Sequence, residues 1–78
     1  MFHHFHQNKK YRVTAEGFVL IAISNETFKK EIEKEGFTQV EVTGQGVKRV
    51  ATGIWPLPSQ HKKLPPVVAS VIKNIEEI

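Results

Sequence analysis

The chain has 78 residues, 40% of them hydrophobic, with 11 Lys and Arg against 8 acidic residues, a formal net charge of +3, no aspartate and no cysteine. A single domain of this length removes only about 60% of its unfolded-state surface on folding, and without cysteine neither a disulfide staple nor a thiolate metal site can supplement its core. No window approaches the roughly 18 apolar residues that cross a bilayer, and the N-terminus lacks the apolar core of a signal peptide, so a cytoplasmic protein without membrane contact is expected.

Residues 1–9 carry His3, His4 and His6 with Phe2 and Phe5, and no periodicity that buries them together. They read as a flexible arm ahead of one domain spanning 10–78. Histidine is the commonest metal ligand, but no Asp, Glu or Cys stands in this stretch to complete a coordination shell. No metal and no cofactor is therefore expected.

From Lys10 the chain alternates, Tyr11, Val13 and Ala15 against Arg12 and Thr14, as a strand wet on one face does. Phe18-Val19-Leu20-Ile21-Ala22-Ile23 follows Gly17 and is the longest apolar run. Neither alternating nor helical in spacing, it reads as a strand buried on both faces in mid-sheet. With the preceding segment it makes either a hairpin about Gly17 or one long strand bulged there.

Ser24-Asn25 before Glu26 reads as a helix start, and Gly36 as its stop. Between them only Phe28 and Ile32 form an apolar stripe, so this helix should touch the sheet along one edge, with Phe37 folding back after the glycine. Thr38–Thr43 alternates again, Gly44-Gln45-Gly46 turns the chain, and residues 47–55 return as a strand. That Gly-x-Gly lacks the third glycine, the Lys-Ser/Thr pair and the following helix of a phosphate loop. In the returning strand Arg49, Ala51, Gly53 and Trp55 share one face, and the small residues leave room for another element beside Trp55.

Pro56 and Pro58 end the strand, and a basic connection carries His61, Lys62 and Lys63. After Pro65-Pro66, the apolar residues Leu64, Val67, Val68, Val71, Ile72, Ile75 and Ile78 recur at three- and four-residue steps. That spacing predicts a broad-striped helix lying over the sheet.

The expected fold is α+β: a small two-layer sandwich with a mainly antiparallel sheet of three or four strands and two helices, in the order ββαββα or βαββα. No nucleophile, metal or phosphate motif suggests an enzyme. The function expected is a non-enzymatic protein-interaction or assembly module. It would be a homo-oligomer or an accessory subunit of a larger, conceivably viral, complex, with Val68, Val71, Ile72, Ile75 and Trp55 as candidate partner contacts. The alternative is nucleic-acid binding through Lys9, Lys10, Arg12, Lys48, Arg49, Lys62 and Lys63, with Tyr11 or Trp55 to stack on bases.

Overall fold

A computed structural model describes residues 2–78, Val67 by its backbone alone. The strands are β1 (Phe2–Phe5), β2 (Lys9–Glu16), β3 (Thr38–Gln45), β4 (Lys48–Trp55), β5 (Gln60–Lys63) and β6 (Ile72–Glu77). They build two antiparallel sheets, a four-stranded one in the order β3-β4-β2-β6 and a two-stranded ribbon of β1 and β5. The helical elements are a 3-10 turn at Phe18–Ala22, helix α1 at Asn25–Lys34 and a single four-residue turn at Pro66–Ala69. The molecule is therefore mostly β, with one helix longer than a turn. The expected two-helix sandwich is corrected.

Two segments account for the difference. The stretch from Leu64, expected to be helical, closes the large sheet as β6, antiparallel to β2. Ile72 and Ile75 lie three apart, the spacing of a helical stripe, yet both face the core from a strand. Ile75 pairs with Val13 and Asn74 with Thr14, but Ala15 pairs with Ile72, so Lys73 is the extra residue of a bulge. The bulge puts the two isoleucines in phase, each 8% exposed.

The second correction concerns Phe18–Ile23, expected to run as the central strand. β2 stops at Glu16, whose amide donates to the Val71 carbonyl, and the Gly17 amide donates to the carbonyl of Val47. With β4 on one side of β2 and β6 on the other, no ladder position is left for the apolar run. It winds into the 3-10 turn at one end of the sheet and buries only Leu20.

Elsewhere the local signals produce the elements they specify. The Ser24 hydroxyl accepts from the Thr27 amide at 3.1 Å, capping α1, and α1 buries Phe28 and Ile32. Gly36, at φ 124°, lets the chain leave the helix and brings Phe37 into the core. Gly44 has φ 100° in the β3–β4 hairpin, where an added Cβ would lie 2.6 Å from the Lys48 carbonyl oxygen. At Gly53 the room expected beside Trp55 is filled by Phe37 and Val40.

The residues expected to form a loose arm contribute to this core. Met1 of that arm lies outside the described residues, but β1 pairs along Phe2–Phe5 with β5, and Phe5 is fully buried. Phe5 stacks on Trp55 with centroids 4.9 Å apart and meets Tyr11 and Phe37 edge-on at 5.1 Å each. The Tyr11 hydroxyl accepts from the His6 amide at 2.7 Å. Four aromatic rings thus rivet the ribbon to the large sheet, each pair adding about 0.5–1.5 kcal/mol beyond area burial.

The bulge gives a counterintuitive expectation. Deleting Lys73 joins Ile72 to Asn74 in a regular ladder and should leave a folded protein within about 1 kcal/mol of the parent in urea denaturation. Inserting an alanine between Asn74 and Ile75 shifts the two isoleucines out of phase and should cost more than about 2 kcal/mol.

Candidate functional site

The 3-10 turn sets the strongest surface feature of the molecule. Phe18 is 85% exposed, Ile21 64% and Val19 52%, while Leu20 between them is buried. A turn of three residues per revolution cannot bury consecutive large side chains on one neighbour, so one faces the core and the rest face solvent. Beside it lies a groove of about 340 Å³ walled by Leu20 and Ile23, by Thr27, Phe28, Glu31 and Ile32 of α1, and by Val68 and Val71. A knob of three apolar side chains and an apolar slot therefore adjoin at one end of the fold.

Arg49 holds the turn in place. Its side chain points inward from β4 and is 5% exposed. Nη1 donates to the Ile23 carbonyl at 2.6 Å and to Asn25 Oδ1 at 3.0 Å; Nη2 donates to the carbonyls of Leu20 at 2.7 Å and Gly46 at 3.1 Å. The last carbonyls of a helical turn lack partners within it and form its negative end, so a guanidinium there satisfies both hydrogen bonding and charge. Nε has no partner among the described residues. The same fork ties the 3-10 turn to the start of α1 and to the β3–β4 hairpin.

The residues anticipated as partner contacts lie beneath this surface. Trp55 is fully buried, with Nε1 donating to the Pro58 carbonyl at 3.3 Å, and Ile72 and Ile75 face the core. Val68 and Val71 are mostly buried but line the groove. Phe18, Val19 and Ile21 stood in the sequence as an apolar run of unusual length. Nothing in that composition separates a buried strand from an exposed turn.

The basic residues do not gather on one patch. Arg49 is internal, Arg12 pairs with Glu76 at 2.8 Å, and Lys62 pairs with Glu35 at 3.5 Å. Lys10 lies opposite Ile54 and Lys48 opposite Glu16, at opposite ends of the sheet, roughly 20 Å apart at the rise of a strand. Lys9 adjoins Lys10, and Lys63 sits 6.0 Å from the Phe2 ring centroid on the ribbon. Tyr11 is 2% exposed and Trp55 0%, so neither ring is free to stack on a base.

The ribbon also collects the histidines. His3 is half-buried, with its ring centroid 4.9 Å from that of Phe5 and 6.1 Å from that of Tyr11. Burial, and secondarily the neighbouring His4 and His61, hold its pKa below the usual 6.5. In the register Lys62 lies opposite His3, and His61 lies opposite His4.

No helix among the described residues is long and apolar enough to cross a membrane. Replacing Arg49 by methionine leaves several buried carbonyls unpaired and should cost about 3 kcal/mol or more in urea denaturation; lysine, with one nitrogen for four acceptors, should rescue little of it. Because the His3 pKa is lowered on folding, the unfolded chain binds more protons below about pH 6.5. His3 therefore contributes stability above that pH that is lost as pH falls through its folded value. His3→Gln should flatten this part of the stability-against-pH curve. No protein-family model, curated protein or solved structure matches the chain.

Proposed function

We propose that this chain is a small non-enzymatic interaction module that self-associates through its exposed 3-10 turn. The observation that carries the reading is the outward placement of Phe18, Val19 and Ile21 beside an apolar groove. Contiguous exposed apolar side chains on a small soluble domain mark interaction surfaces. A second copy suits this surface because knob and slot share one end of the molecule. A two-fold axis through that end seats the Phe18 of each copy in the groove of the other and closes the assembly at two. The marginal core of a 78-residue chain without cysteine supports the same reading, since association adds buried apolar area that one copy lacks. A cytoplasmic setting goes with it, supported by the absent cysteines.

Nucleic-acid binding has no comparable support. Of its seven basic residues, Arg49 is internal and Arg12 and Lys62 are paired with acids, and the others are spread over two ends of the sheet and the ribbon.

Sedimentation velocity across a wide range of protein concentration tests the reading. The parent chain should pass from monomer to dimer, and the double variant Phe18→Glu with Ile21→Lys should weaken dimerisation by roughly 30-fold or more, the loss of one central apolar contact of about 2 kcal/mol. Both side chains are exposed, so urea stability of the monomer should change by less than about 0.5 kcal/mol. A parent chain that stays monomeric at the highest concentration defeats self-association and leaves the surface to a different protein.

A further inference from the structure

We propose that His4, His6 and His61 form a binding site for a divalent transition-metal ion on the outer face of the β1–β5 ribbon. The sequence shows a histidine run at 3, 4 and 6, but the fold sorts these residues differently. His3 turns toward Phe5 and Tyr11, and His61, more than fifty residues along the chain, arrives opposite His4. Residues two apart on an extended segment share a face, and directly opposed residues of an antiparallel pair do too. His4, His6 and His61 meet both conditions. The ring centroids of His4 and His6 are 4.6 Å apart and those of His4 and His61 are 6.1 Å apart.

Those separations bracket what a shared ion requires. With metal–nitrogen bonds of about 2.0–2.1 Å and near-tetrahedral angles, two imidazoles on one ion place their ring centres about 5 Å apart. Among the described residues no three such side chains hold their donor atoms around a common point in this conformation. All three rings are exposed, so rotation about their side-chain bonds brings the nitrogens together without moving the core. Neutral imidazole favours Zn²⁺, Ni²⁺ and Cu²⁺ over the hard cations that seek carboxylates. No Asp or Glu lies within residues 1–12 or 56–64, so solvent supplies the remaining ligands. Lys63, on the same face, holds the affinity down by charge repulsion, whereas Lys62 is engaged with Glu35. Because the ligands come from both strands, the ion pins β1 to β5.

Titration calorimetry of the full chain with Zn²⁺ and separately Ni²⁺ at pH 7.5, with thermal melts in parallel, tests this. One ion should bind per chain and raise the melting midpoint, and binding should vanish below the histidine range, about pH 5.5, as the ligands protonate. His61→Ala, His4→Ala and His6→Ala should each weaken binding by about tenfold or more and remove the thermal shift, whereas His3→Ala should leave the affinity nearly unchanged. Circular dichroism confirms that each variant is folded. Absence of binding by the parent chain overturns the proposal. So does unchanged affinity in His61→Ala, or a loss in His3→Ala equal to that in His61→Ala, since either result means the ion is held by the histidine run alone.

Discussion

A buried guanidinium without a carboxylate is the constraint on which this molecule turns. Arg49 is placed by the alternation of β4 on the same face as Ala51, Gly53 and Trp55, and it is satisfied by oxygens of neutral groups alone. Taking such a charge out of water is costly, and the cost is offset only where several well-aligned acceptors surround it. The carbonyls at the end of the 3-10 turn are those acceptors. The turn cannot straighten into a strand without leaving the cation stranded, and the cation cannot stay inside without the turn. This mutual dependence keeps Phe18, Val19 and Ile21 at the surface although their side chains favour the interior.

Much of the framework was legible in the residues. The alternation at Tyr11–Ala15 and at Thr38–Thr43, the cap at Ser24, the stop at Gly36, the two-residue stripe of α1 and the hairpin glycines each appear where local physics puts them. What misled was periodicity where tertiary partners override it. A bulge at Lys73 makes a three-residue step compatible with a strand, and two isoleucines so spaced look the same in either conformation. The run from Phe18 to Ile23 reads as interior only if a vacant ladder position exists for it. That position is taken by β6, a choice made by residues fifty places further on. The knob of the candidate site was thus visible as composition but not as surface. The joining of His61 to His4 was invisible, because register between distant strands leaves no local trace.

Polar and apolar demands are divided between two ends of the fold. The ribbon end carries histidines and lysines over a tightly stacked aromatic cluster in which Phe5, Tyr11, Phe37 and Trp55 satisfy one another's shape. At the opposite end the rings and branched chains meet solvent and an unfilled groove. Small domains seldom leave so much hydrocarbon uncovered at one pole while packing the other so completely.

The pairing of β2 with β6 also sets a timetable. Arg12 finds Glu76 across 64 residues of chain, so the flank of β2 stays bare until translation has delivered nearly the whole sequence. Contacts of such long range form late and slowly, and an uncovered strand beside a greasy turn is what holding chaperones recognise and what stray strands adhere to. The nascent polypeptide therefore passes through its most adhesive state just before completion, and the cell's capacity to shield that interval, more than the finished protein's own solubility, governs how much of it accumulates.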